Sequence, residues 1–278
     1  MNPVSHFKGI KMIDFHTHTL FSHDGKADAR EMIEQAIKLG IRALAVTEHC
    51  DKDIIFSNSD RNIRQLDVDG YWNALQKLKA EYADRINIAI GIECGFYPPA
   101  IPIYSEIIDR HPFDVVINSI HLIDCVDPYT GDYYTGKDKS TAYDYYFAKI
   151  LQSLDSPYYY SIIAHPFYIS RYAPYKDKRL RYREHAEAID AVLNKIIEKG
   201  KSLEFNSSSK NVPFDEFFDF EFYRRYYELG GRKIIFGSDA HAPNRLAENY
   251  DRAVKELEKI GFDHWTAYFD RTETEIAF

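Results

Sequence analysis

"IDFHTHTLFSHD", residues 13–24, sets an apolar opening against three histidines and two aspartates. His16 and His18 stand two positions apart, directly after the apolar run. Side chains alternate faces along a strand, so both imidazoles would project the same way at its end. Surface histidines are ordinary, and a structural role suffices for any one of them. Two on one face at a strand's end could instead clasp a metal ion, and the rest of the chain decides between these readings.

Working outward, "KMIDF" (11–15) is the first of seven short β-type runs. The others are "RALAVT" (42–47), "INIAIGI" (86–92), "DVVINSI" (114–120), "YSIIA" (160–164), "SLEF" (202–205) and "KIIFGS" (233–238). Several are continuous and rich in valine and isoleucine, as strands buried on both faces should be. Helical patterns lie between them. Asp28 followed by Glu31 predicts a capping box, with Gly40 closing that helix. Ile189, Val192, Leu193, Ile196 and Ile197 recur at helical spacing within a predicted helix from Tyr182 to Lys199, before Gly200. A last helix ends near Ile260 and Gly261. Serial β-then-α units demand a parallel sheet, either doubly wound or closed into a barrel. No Gly- or Ser-rich linker divides the chain, so 1–278 reads as one domain. Residues 124–140 and 166–181 read as long polar loops, which in compact domains are functional or disordered.

The decisive pattern lies at the strand ends. His16 and His18 follow the first, "TEHCD" with His49 the second and "GIECGF" with Glu93 the third. "SIHLID" with His121, "IIAHPF" with His165 and "GSDAH" with Asp239 and His241 follow the fourth, fifth and seventh. The sixth carries Glu204. In a parallel barrel these ends meet at one rim, where barrel enzymes place their sites. Taken alone, "HPF" or "EHC" means little; the repeated register favours a shared metal site. Such imidazoles and carboxylates suit Zn²⁺, Mn²⁺ or Fe²⁺, and three cysteines without a CxxC pair argue against a structural thiolate site.

Composition narrows the function further. A formal net charge of −8 with dispersed lysine and arginine offers no broad basic face for nucleic acid. No window approaches a membrane span, and the first residues lack a signal-peptide core. A reduced, cytoplasmic protein is expected. His6, His111, His185 and His264 lie away from strand ends and read as structural or exposed.

The motifs "HTH" (16–18), "TEH" (47–49), "GIE" (91–93), "SIH" (119–121), "AHP" (164–166) and "GSDAH" (237–241) together resemble the PHP (polymerase and histidinol phosphatase) metallo-hydrolases. "FSHDG", "HPFYISRYAPY" and "GSDAHAPNRLAENYD" are similar to the histidinol-phosphate phosphatase branch. The resemblance implies a distorted (β/α)7 barrel with two or three divalent metal ions (Zn, Mn or Fe) at its C-terminal rim. It assigns His16, His18, Glu93 and Asp239 to one metal. Glu93 would bridge to a second, held with His121 and His165; Asp24, His49 and His241 would hold a third. Some relatives carry histidine where this chain has Asp24. Spacing favours Asp24 as the ligand and leaves its neighbour His23 as a ligand, a proton donor or solvent-facing.

The implied activity is hydrolysis of L-histidinol phosphate to L-histidinol and phosphate, a step of histidine biosynthesis, with a hydroxide bridging two metals attacking phosphorus. Arg171 would neutralise the phosphoryl group, and His23 could protonate the leaving alkoxide. Arg171, Tyr172, Glu204 and Asn206 are expected substrate contacts, and Glu48 and Asp51 are further acidic candidates facing an amine. The partner is then a small phosphate ester, with no nucleic acid or membrane; no motif bears on oligomeric state. Rival readings are a phosphatase for phosphotyrosine or another small ester, a nucleic-acid phosphodiesterase or exonuclease, and a non-catalytic metal-binding module.

Overall fold

The computed structural model describes residues 12–51, 64–209 and 212–278. His6 and the first position of the expected opening strand, Lys11, lie outside them. The strands are β1 (Ile13–Asp14), β2 (Ala43–Cys50), β3 (Asn87–Gly95), β4 (Val115–Ser119), β5 (Ile162–Ile163), β6 (Ser202–Asn206) and β7 (Ile234–Gly237). They form one seven-stranded sheet in chain order, each parallel to the next. Between its two ends, Phe15 N donates to Phe236 O at 2.9 Å and Asp239 N to His16 O at 2.8 Å. The expected distorted (β/α)7 barrel is therefore present, nearly closed, with every strand's C-terminal end at the same rim.

Nine α-helices are found among the described residues: α1 (Ala29–Leu39), α2 (Val68–Glu81), α3 (Ile101–Arg110), α4 (Lys139–Ser153), α5 (Tyr168–Tyr172), α6 (Ala186–Glu198), α7 (Phe214–Phe217), α8 (Phe220–Glu228) and α9 (Tyr250–Ile260). The capping box forms as expected: Asp28 accepts from Glu31 N, and Glu31 reaches back to the Asp28 N–H. Gly40, at φ 82°, ends α1 in the left-handed region that glycine enters without penalty. Met32, Ile33 and Ala36 of α1, and Ile189, Val192, Leu193 and Ile196 of α6, are the buried stripes that hold these helices to the sheet. The helix expected from Tyr182 begins with a separate 3₁₀ turn, Tyr182–Glu184. His185 interrupts it, its Nδ1 lying 2.7 Å from Asp144 Oδ1.

Both long polar loops prove more ordered than expected. Residues 124–140 contain two 3₁₀ turns, Pro128–Thr130 and Asp132–Tyr134, pinned by buried Tyr133 and Tyr134. Residues 166–181 contain α5, so Arg171 stands on a short buried helix rather than a loop. Their tyrosines supply the apolar anchorage that a charge count conceals. A C-terminal antiparallel hairpin, β8 (His264–Phe269) and β9 (Thr272–Ala277), goes beyond the seven units. Its tight turn uses Asp270 and Arg271 at φ 50° and 61°, without the glycine that usually signals such a turn. Buried Trp265 fastens it to α9 by donating from Nε1 to Tyr250 Oη at 2.9 Å. No helix among the described residues is long and apolar enough to cross a membrane.

Candidate metal centre

Register builds the site. His49 on β2 pairs with Glu93 on β3, so their side chains emerge on the same face. His16 and His18 lie just past β1, His121 just past β4 and His165 just past β5. His165 and Asp239 adopt φ values of 29° and 54°, a left-handed backbone that non-glycine residues adopt at an energetic cost. The surrounding structure holds both turned into the rim, a pattern common at functional sites.

Glu93 is the centre of the cluster and has no solvent-accessible surface. Its Oε2 lies 3.2 Å from His16 Nε2, 3.5 Å from His18 Nε2 and 2.8 Å from His49 Nδ1. Its Oε1 lies 3.1 Å from His121 Nε2 and 2.9 Å from His165 Nε2. Asp239 Oδ1 stands 3.5 Å from His18 Nε2 and 4.0 Å from His16 Nε2. On the outer side, Asp24 lies 3.1 Å from His241 Nε2 and 3.6 Å from His49 Nε2. His18, His49 and His241 bring imidazole nitrogens together; His16 and His18 nitrogens meet an Asp239 oxygen, and His121 and His165 nitrogens a Glu93 oxygen. His49, Asp51 and His121 form a further such group.

The chemistry of these donors fits divalent cations. His16 Nε2, His18 Nε2, His49 Nδ1 and Glu93 Oε2 are buried without a hydrogen-bond partner, although they crowd together. Unsatisfied buried polar atoms are costly, and cations shared among these groups would satisfy such donors. Charge points the same way. Burial opposes a charged His16, but Glu93 and Glu204 outweigh it and hold its pKa well above the usual range. Burial and the neighbouring His49 and His241 push His18 well below it. Burial opposes the Glu93 anion, yet His16, His121 and His49 hold its carboxyl well below the ordinary range. Around the Glu93 carboxylate, His16 is thus biased toward its charged form and His18 toward its neutral one.

The structure distinguishes residues in the cluster from those behind it. Asp24, rather than His23, approaches the imidazoles; His23's ring centroid lies 5.6 Å from that of His49 and its Nδ1 4.0 Å from Asp24 Oδ1. Arg171 is 2% exposed, its Nη2 donating to Asn206 Oδ1 at 2.9 Å and its Nη1 lying 3.7 Å from Asp239 Oδ2. Nε and Nη1 of Arg171 have no hydrogen-bond partner. Tyr172 packs edge-on against Tyr168 at 5.1 Å and Tyr129 at 5.1 Å.

Three acidic residues expected to face substrate are engaged by protein groups. Glu48 accepts from Thr19 Oγ1 at 2.6 Å and from Ser22 Oγ, while Asp51 Oδ1 lies 3.0 Å from His121 Nδ1. Glu204 lies behind His16, its oxygens taken up by protein donors. Asn206, also expected to contact substrate, has its amide engaged by protein groups, accepting from Arg171 and Ser208 N and donating to Glu204. Sequence reading passed over Tyr168, whose ring stands 5.2 Å from His165 and 6.2 Å from His121. Its hydroxyl donates to Asp127 at 2.8 Å. Its place inside "HPFYISRYAPY" was the available signal. Of the discounted histidines, His111 lies 2.8 Å from Asp69, and His264 stands beside Asp263 in the hairpin, both away from the rim.

Comparisons with known proteins agree with this geometry. The family model described as "PHP domain" matches residues 14–208. A Lactococcus lactis protein named "Histidinol-phosphatase" is 31% identical over 254 residues, covering 91% of this chain and 93% of its own. A Bacillus subtilis protein of the same name is 24% identical over 267 residues, covering 86% and 96%. A crystal structure of histidinol phosphate phosphatase from Lactococcus lactis, complexed with zinc, L-histidinol and phosphate, superposes with a TM-score of 0.86 at 29% identity. It covers 95% of this chain and 99% of that one.

Proposed function

Because this chain belongs to the PHP-domain family, we infer that it is a metal-dependent phosphomonoesterase converting L-histidinol phosphate to L-histidinol and phosphate. The observation that carries this reading is one buried carboxylate, Glu93, ringed by His16, His18, His49, His121 and His165 within 3.5 Å. Relatives named histidinol-phosphatase over nearly the whole chain, one seen with zinc and both products, support the substrate.

His16, His18, Glu93 and Asp239 would hold one ion, Glu93, His121 and His165 a second, and Asp24, His49 and His241 a third. Ions held there supply Lewis-acid neutralisation of the phosphoryl oxygens and lower the pKa of a water toward neutrality. Arg171 adds a planar guanidinium fork whose Nε and Nη1, which have no hydrogen-bond partner, would be offered to phosphoryl oxygens. Buried among aromatic and polar walls, that fork is already oriented before substrate arrives. His23, partly exposed at the outer edge, would give a proton to the leaving alkoxide as the P–O bond breaks. Tyr172 and Tyr168 would flank the organic half of the substrate. No covalent phospho-enzyme is required.

The unit is a single domain acting on a small molecule, without nucleic acid or membrane, in the cytoplasm; its acidic charge and free cysteines support this placement. The test is phosphate release from L-histidinol phosphate beside phosphotyrosine and a dinucleotide, as purified, after chelation and after Zn²⁺ or Mn²⁺ is restored. Chelator-sensitive turnover of histidinol phosphate alone is expected. Metal-dependent turnover of another ester would keep the chemistry and discard the substrate.

A further inference from the structure

Glu204 and Gly237 occupy neighbouring strands, β6 and β7, beneath His16. A Cβ placed on Gly237 would come within 2.2 Å of Glu204 Oε1 and 2.6 Å of the His16 Cβ. The missing side chain is what lets the carboxylate reach the imidazole. Glu204 Oε1 lies 2.6 Å from His16 Nδ1, and Oε2 accepts from His165 N at 2.6 Å. Asn206 Nδ2, two residues along the same strand face, donates to both oxygens at 3.3 Å. Every partner of this 1% exposed carboxylate is therefore a donor.

We propose that Glu204 is a positioning residue that sets the two halves of the site at once: it fixes the His16 tautomer for metal binding and, through Asn206, the orientation of Arg171 for phosphate. An acceptor-only group at Nδ1 keeps a proton there, so that Nε2, facing Glu93 and Asp239, is the nitrogen a metal would take. Because Asn206 turns its amide nitrogen to Glu204, its Oδ1 faces the other way, where it accepts from Arg171 Nη2 at 2.9 Å. Ser208 N, at 3.2 Å from the same oxygen, locks that orientation. The proposal rests on the metal-dependent reading above.

An isosteric amide makes the distinction. In Glu204→Gln the new NH₂ must face a donor; His16 alone can accommodate it, by moving its proton to Nε2. Zinc affinity of the full-length protein, measured by competitive titration, should fall about 10–100-fold. Glu204→Asp, shorter but still acceptor-only, should bind zinc more tightly than Glu204→Gln, an order that a purely space-filling role would reverse. Asn206→Ala should keep full zinc stoichiometry while weakening inorganic phosphate binding to the zinc-loaded protein about tenfold. In zinc-loaded wild-type protein, ¹⁵N spectra should show His16 protonated at Nδ1, a readout that survives even if a variant fails to fold. Zinc affinity in Glu204→Gln within threefold of wild type, unchanged phosphate binding in Asn206→Ala, or a bare His16 Nδ1 would each overturn the proposal. Wild-type protein that binds no zinc would overturn the metal reading beneath it as well.

Discussion

The inner side of the rim, around His16, Glu93 and His165, and the outer side, around Asp24, His49 and His241, use the same side chains in different surroundings. Inside, His16 and His165 are 1% and 2% exposed, and each is gripped by a buried carboxylate network. Ser119 Oγ donates to Glu93 Oε1 at 2.6 Å, so even the central carboxylate is held from behind. Outside, the Asp24 side chain is 42% exposed and His23 beside it 31%. The loop leading to them is tied down by exposed Arg64, which donates to the Phe21 and Ser22 carbonyls at 3.3 and 2.7 Å. Burial opposes the Asp24 anion, yet His241 and His49 hold its carboxyl below the usual range. The difference teaches that the inner donors are fixed by the buried core, whereas the outer group opens to water through Asp24.

That contrast can be broken or sharpened by substitution. His16→Ala strikes the inner side and should remove bound zinc and activity together; metal analysis and phosphate release both read this, and retained metal would break the contrast. Arg171→Ala should keep zinc while lowering kcat/KM by about 10²–10³-fold, the scale for losing a donor aimed at developing charge. His23→Ala should leave metal content unchanged and lower kcat by about 10²-fold, with less effect on substrates whose leaving groups need no proton. Asp24→Asn should show the smallest effect, a loss of about one zinc per chain and roughly tenfold in rate, recovered by excess metal because the site is open. If zinc excess restores His16→Ala as readily, the two sides do not differ in the way described.

Much of this was legible beforehand, for reasons tied to particular residues. The strands of valine and isoleucine and the helix stops at Gly40 and Gly200 are local signals, and the structure keeps them. Strand-end placement of His16, His49, Glu93, His121, His165 and Asp239 followed from parallel topology alone. Illegible were features that depend on distant partners. The β8–β9 hairpin turns on Asp270 and Arg271, whose left-handed backbone carries no glycine to announce it. Arg171 looked like part of a polar loop until Phe217, Asn206 and Asp239 enclosed it. Glu204 and Asn206 looked like substrate contacts because their chemistry suits that role. Only their hydrogen-bond partners reveal that they face inward.

The sequence by itself determined the order of seven β-then-α units, the residue types at their ends and hence the class of chemistry. These depend on periodicity and on topology, which local side-chain patterns encode. Tertiary structure alone decided which carboxylates stand among the imidazoles and which lie behind them. That choice is made between residues such as His16 and Glu204, 188 positions apart, and rests on contacts such as their 2.6 Å approach, which no spacing along the chain records.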